Sequence, residues 1–127
     1  MTATLVSAPA SPARVLIVDR LAVTRRALRL ALGPEAGLDV VAEAAGLADA
    51  LAAIAAGLDV DVVALDGRAA RPDPAGAIAA FGVPVVIMRV EDGPDFVAAS
   101  LSAGAAGQAR KDDVGSIVDA LTHAVVV

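Results

Sequence analysis

Several apolar runs in this chain end on a charged side chain, and those ends are where chemistry could be done. Asp19 and Arg20 follow the run 15–18, Asp66 follows 60–65, Arg89 follows 83–88, and Lys111 stands just beyond 105–109. Carboxylates from separate parts of a chain, met by a lysine, are the parts needed to hold a cation or to attack a transferring group while its charge is neutralised. Other chemistries lack their parts. The chain has no cysteine and a single histidine, His123, so thiolate metal sites and nucleophile–histidine pairs are excluded. Neither a Gly-x-Gly-x-x-Gly run nor a Walker loop occurs, which removes the usual cradles for nucleotides.

The elements that must position these residues alternate in type. Strand-length apolar runs at 15–18, 38–44, 60–65, 83–88 and 105–109 are separated by helix-length stretches at 21–32, 46–56, 75–81 and 94–102, and a last helix runs to about residue 124. The stretch 21–32 has Leu21, Leu28 and Leu32 at helical spacing with arginines at 25, 26 and 29 on another face. Gly33-Pro34 stops it, Asp92 or Gly93 opens the fourth helix, and Asp112 or Asp113 caps the last. Strands apolar on both faces and separated by helices imply a parallel sheet covered on both sides, in a doubly wound α/β fold. In such folds the binding crevice lies beyond the carboxyl ends of the strands, where the strand order reverses. The charged run-ends all fall on that side.

Bulk properties narrow the setting. At 127 residues the chain fits one domain. A formal charge of −5 argues against direct binding of nucleic acid, which needs a basic face. A mean hydropathy of +0.73 raises the question of a membrane. The longest relevant uncharged run, 74–88, is too short to span and is divided by Gly76, Gly82 and Pro84. Residues 1–12 lack a basic start and an apolar block, so they read as a disordered tail before a domain over 13–127, and the expected setting is the cytoplasm.

Four segments carry a specific resemblance. Arg14-Val-Leu-Ile-Val-Asp19, Asp61-Val-Val-Ala-Leu-Asp66, Val83-Pro-Val-Val-Ile-Met88 and Ala103-Gly-Ala-Ala-Gly-Gln-Ala-Arg-Lys111 resemble, in order and spacing, the strands of response-regulator receiver domains of the LuxR/NarL type. The resemblance covers about residues 14–124. It implies a flavodoxin-like five-stranded parallel sheet of order 2-1-3-4-5 and a role in signal transduction rather than enzymatic turnover. In that family two adjacent acids help hold Mg²⁺, an aspartate ending the third strand takes a phosphoryl group, a Thr or Ser ends the fourth strand, and an aromatic residue and a lysine lie on and after the fifth. Asp66 then matches the phosphoacceptor, Asp19 the first acid and Lys111 the lysine.

The departures are as informative. Arg20 stands at the second acid, Arg89 at the Thr/Ser position and Gln108 at the aromatic position. Mg²⁺ wants oxygen ligands in a near-octahedral array, and a guanidinium removes one ligand and adds a repelling charge. A unit charge pair about 4 Å apart is worth roughly 4 kcal/mol at an effective dielectric of about 20. The expectation is therefore a metal-free crevice, neutralised internally by Arg20 or Arg89 against Asp66, in an atypical receiver independent of Mg²⁺-dependent phosphorylation. Two readings remain beside it: a small-anion sensor using Arg20 and Arg89, and a receiver phosphorylated at Asp66 in the ordinary way.

Partners are expected to be proteins. Phe96, Val97, Leu101, Ile117, Val118 and Leu121 on the last two helices offer a homodimer surface as well as core packing. The resemblance also implies a helix-turn-helix output domain outside these residues. Asp59 and Asp61, at the opposite end of the third strand, read as a solvated strand start, and His123 as a solvent-facing residue.

Overall fold

A computed structural model of the chain describes residues 11–33, 36–71, 73–90 and 94–126, with the side chains of 94–97 and 126 outside the description. Five parallel strands, β1 (Ala13–Val18), β2 (Leu38–Ala44), β3 (Val62–Asp66), β4 (Val85–Arg89) and β5 (Gly107–Arg110), form one sheet in the order β2-β1-β3-β4-β5. The helices are α1 (Ala22–Ala31), α2 (Leu47–Ala55), α3 (Pro74–Phe81), α4 (Pro94–Ser102) and α5 (Val114–Val126). The expected five-strand order is the observed one. The expected tail over residues 1–12 falls almost wholly outside the described residues, as do the expected openers of α4, Asp92 and Gly93.

The sheet is central because its strands are apolar on both faces. Along β1, β3 and β4 alternate side chains enter two separate cores. Val15, Ile17, Val62, Ala64, Val86 and Met88 join Leu28 of α1 and Ile117 and Leu121 of α5 on one face. Leu16, Val18, Val63, Leu65, Val85 and Ile87 join Ala50 of α2 and Ala77, Ile78 and Phe81 of α3 on the other. A fully buried Val, Leu or Ile side chain contributes about 1.5–3 kcal/mol, so these three strands anchor the molecule.

Ends are set by local chemistry. Asp73 accepts a hydrogen bond from Gly76 N at 3.1 Å and Pro74 fills the first helical position, which starts α3. Gly82, at φ 70°, closes it. Of the two candidate caps for α5, Asp113 does the work, accepting from Ser116 N at 3.1 Å, while Asp112 pairs with Arg110. β5 begins at Gly107, later than the expected 105. Ala105 N is held by Ser100 O at 3.1 Å, in a turn with Gly104 at φ 102°, so the apolar run starts as the end of the α4 connection.

Two surface arginines of α1 are committed. Arg25 and Arg29 both pair with Glu43 on β2, and the Arg29 hydrogen bond is the main cause that holds the Glu43 carboxyl below its ordinary value. Asp61 accepts from Arg14 N at 2.8 Å, so its carboxylate is structural, whereas Asp59 offers Arg14 Nε its backbone O at 2.7 Å and its own carboxylate is solvated, as expected. His123 is exposed. Among the described residues no helix is long and apolar enough to cross a membrane.

The expected dimer surface on the last two helices is corrected in part. Ile117 and Leu121 are fully buried, because α5 lies across β3, β4 and β5 and spends that stripe on the sheet. Leu101 stays 52% exposed, and the side chains of Phe96 and Val97 lie outside the described residues.

Two outcomes check this packing. Ile117→Ala lowers stability to urea by about 2–5 kcal/mol with no change in sedimentation, as a core truncation does. Glu43→Gln costs less than about 1 kcal/mol at neutral pH. The Glu43 carboxyl is lowered from 4.5, so its contribution is present above that value and disappears as pH falls through the lower folded value. The stability gap between Glu43→Gln and the parent protein therefore closes in acid.

Candidate functional site

The strand order reverses between β1 and β3, the two strands that end on Asp19 and Asp66. β1 leads outward to β2, and β3 leads the other way to β4 and β5. Both carboxylates are thus carried to the switch point by stiff, buried strands. Asp19 is fully buried and Asp66 is 2% exposed.

Each aspartate is turned by its own backbone. Asp19 Oδ1 accepts from Leu21 N at 2.8 Å, the local turn that opens α1 in place of a side-chain cap at Leu21. Arg25 reaches back from α1 to donate to Asp19 O at 2.6 Å. Asp66 Oδ1 accepts from Arg68 N at 3.3 Å, and Ala69 N bonds to Asp66 O at 2.9 Å, which coils the chain after β3 into consecutive turns.

The cation between them is Lys111. Its Nζ lies 2.7 Å from Asp19 Oδ2 and 3.1 Å from Asp66 Oδ1, and its side chain is only 11% exposed. The approach to Asp19 Oδ2 is an ion-pair contact whose direction is too poor for a hydrogen bond. Asp66 Oδ2 is buried and has no hydrogen-bond partner among the described residues. Lys111 is delivered by β5, whose pairing with β4 continues one step further through Lys111 N to Arg89 O at 2.7 Å.

The expected arginine partners of Asp66 are corrected here. Arg20 is exposed and makes no ion pair with either aspartate. It follows Asp19 directly, and successive side chains leave an extended segment on opposite sides. Arg89 donates from Nε to Gln108 Oε1 at 2.8 Å instead. Two residues singled out separately, at the ends of β4 and β5, are therefore partners of each other.

Sequence reasoning missed two residues. The crevice beside Asp66 is lined by Gly67, Arg68, Arg71, Met88, Arg89 and Val90. Arg68 and Arg71 come from the turns after β3, with Arg71 N bonded to Arg68 O at 3.3 Å and Ala70 buried beneath as the anchor. Their only signal in the sequence is two arginines three apart in a loop. Among the described residues no group of three or more His, Cys, Asp or Glu side chains gathers in one place.

Comparison with known proteins gives a consistent picture. No family model matches the chain. It is 38% identical over 109 residues to the nitrate/nitrite response regulator protein NarP of Escherichia coli (strain K12), a match covering 81% of this chain and 50% of that protein. The chain thus spans about half the length of the curated relative it matches. The signal receiver domain of the putative response regulator NarL from Mycobacterium tuberculosis superposes with a TM-score of 0.73 at 32% identity, over 87% of this chain and 94% of that one. A two-component response regulator of the LuxR family from Aurantimonas sp. SI85-9A1 gives 0.72 at 26% identity, over 86% and 81%. A chain in the complex of the P1 domain of CheA3 with CheY6 from R. sphaeroides gives 0.80 at 22% identity over 93% and 100%, a likeness of fold alone.

The lysine bridge makes a measurable demand. Lys111→Met leaves two buried carboxylates without their cation and lowers stability by about 3–5 kcal/mol in urea unfolding. Adding Asp66→Asn to that variant recovers part of the loss, because one of the two uncompensated charges is gone, and a double-mutant cycle reads the coupling directly.

Proposed function

The chain belongs to the receiver domains of response regulators, and on that premise we propose that it is an atypical member, working through protein contacts and not through a Mg²⁺-dependent aspartyl phosphate. Membership places it in two-component signalling. What separates it from an ordinary member is the charge at the switch point. The observation that carries this reading is the 2.8 Å hydrogen bond from Arg89 to Gln108, at the two positions where the family has a hydroxyl and an aromatic residue, together with Arg20 in place of the second acid.

A divalent ion does not suit the residues present. The donor set is two carboxylates already spanned by an ammonium group, and the second acid of the family is the exposed Arg20. Mg²⁺ is ordinarily held by one or two carboxylates and waters, and here an ammonium group stands between the two carboxylates while a guanidinium replaces the family's remaining acid, so a cation would have to displace Lys111 and meet added repulsion. The coupling machinery is altered as well. Where the family pairs a small hydroxyl residue on the fourth strand with an aromatic on the fifth, this chain ties Arg89 to Gln108. A hydrogen-bonded Arg–Gln contact supplies neither the hydroxyl nor the aromatic ring that the family uses as its moving pair. The output is accordingly a protein contact set by the folded state. Its match to one half of a longer regulator supports a helix-turn-helix output segment outside these residues, acting in transcription.

Ordinary phosphorylation of Asp66 has one observation in its favour: the residue borders the crevice, and its buried Oδ2 has no hydrogen-bond partner among the described residues. A single experiment separates the readings. Intact-mass measurement after acetyl phosphate with and without Mg²⁺, beside a Mg²⁺ titration in beryllofluoride, is expected to show no phosphoryl adduct and no saturable metal binding. A Mg²⁺-dependent adduct that Asp66→Asn abolishes overturns the proposal.

A further inference from the structure

A second hollow, of about 130 Å³, lies between α3 and α4 on the face of the sheet that carries α2 and α3. Its floor is Ile87 of β4, and its walls are Ala70 after β3, Ile78 of α3, and Ala99 and Ser100 of α4. Ala70, Ile78, Ile87 and Ser100 are buried, whereas Arg71, Pro74 and Ala99 are exposed, so an inner wall that is mostly apolar opens through a rim. The hollow exists because the side chains that could fill it are short. Ala70, Ala99 and Ser100 reach no further than one or two heavy atoms beyond Cα. Protein interiors seldom leave a gap larger than a water molecule. An apolar cavity of roughly 150 Å³ is enough to take up benzene.

The two polar side chains at this hollow narrow what could enter it. Arg71, at the rim, makes no side-chain ion pair or hydrogen bond among the described residues, although the chain has 15 acids to 10 bases. Other arginines near acids are paired with them: Arg25 and Arg29 with Glu43, Arg110 with Asp112. Ser100 is 6% exposed and also makes no side-chain hydrogen bond among the described residues. A hydroxyl in a helix commonly returns to the carbonyl one turn back, as Thr122 does to Val118 O at 2.8 Å. Ser100 adds a neutral group and no second charge. The described lining thus offers one cation beside an apolar chamber of ring size.

We propose that the hollow between α3 and α4 binds a small monocarboxylic acid whose body is a single ring or a compact branched chain. The body rests against Ala70, Ile78 and Ile87, and the fork of Arg71 holds the carboxylate at the rim. Binding is non-covalent. The hollow shares Gly67 and Arg71 with the crevice beside Asp66 but not the Asp66 carboxylate, so this inference does not rest on the metal-free reading. An occupant touches the turns after β3, α3 and α4 together, and so couples the placement of α4 to a ligand.

Benzoate, acetate and benzyl alcohol separate the requirements, since they carry ring and charge, charge alone, and ring alone. Amide-shift titration of the whole chain at constant ionic strength is expected to show saturable benzoate binding, with the other two at least about tenfold weaker. The shifts centre on Ala70, Ile78, Ile87, Ala99 and Ser100 and spare Asp19 and Gln108. Arg71→Met keeps the stem and removes the charge, so it weakens benzoate about tenfold and leaves benzyl alcohol unaltered. Arg26→Ala, an exposed arginine of α1, alters neither. Ala99→Leu, at an exposed position of α4, fills the hollow and removes binding of both. Should Ala99→Leu fail to fold, benzoate carrying two tert-butyl groups tests size on the parent protein and is expected not to bind. No saturable binding, benzoate no tighter than acetate, an Arg26→Ala loss equal to that of Arg71→Met, binding of the bulky benzoate, or shifts centred on Asp66 and Lys111 overturns the proposal. A Mg²⁺-dependent adduct on Asp66 bears on the metal-free reading alone and leaves this site untouched.

Discussion

Two carboxylates at the switch point are almost wholly withdrawn from water, and one ammonium group answers both. Asp19 and Asp66 are 0% and 2% exposed, and each buried ion costs several kcal/mol if left alone. Lys111 must therefore arrive between them, which fixes where β5 has to end. The β4–β5 ladder, continued by Lys111 N to Arg89 O, gives that placement its rigidity. Behind it, the packing of β1, β3 and β4 into a core on each face leaves those strands no freedom to slide. A change in the sheet is then felt as a change in charge balance at its carboxyl edge.

The substitutions at the family positions have a common physical sense once this bridge is in place. Arg20 does no harm to it, because it is directed to solvent one residue beyond Asp19. Arg89 and Gln108 close on each other and join the ends of β4 and β5. That contact stands where the family has a hydroxyl and an aromatic residue, and on the reading proposed above it holds the strand edge in one arrangement.

The architecture was readable in the sequence because the strands are apolar on both faces, a pattern that only a covered parallel sheet explains. Boundaries moved by one or two residues where hydropathy and hydrogen bonding part company. Val60 and Val83 are as apolar as their neighbours but precede the ladder, and Ala105 is drawn into the turn at Gly104, with Ala106 N making the first bond to β4 just before β5. Asp19, Asp66 and Lys111 were legible as strand ends. Their mutual geometry was not, since attraction between arginine and aspartate is symmetrical in a sequence and the direction of the Cα–Cβ bond is not. Arg68 and Arg71 escaped for a related reason: turns have no hydrophobic period, so nothing marks which of their residues face a crevice. Ile117 and Leu121 carry a helical stripe that looks the same whether a sheet or a second copy covers it, and only the path of α5 across the sheet decides.

Asp66 has a structural part to play whatever else it does. Without it Lys111 would keep only Asp19, and a nearly buried ammonium would exchange a two-sided neutralisation for a one-sided one. The same carboxylate has an oxygen left over, Oδ2, sealed from solvent and without a hydrogen-bond partner among the described residues. One oxygen thus takes part in the bridge while the other is held in the protein interior. The identity of the aspartate is therefore a statement about electrostatic balance at the strand ends, and the residues around it decide the use to which the balance is put.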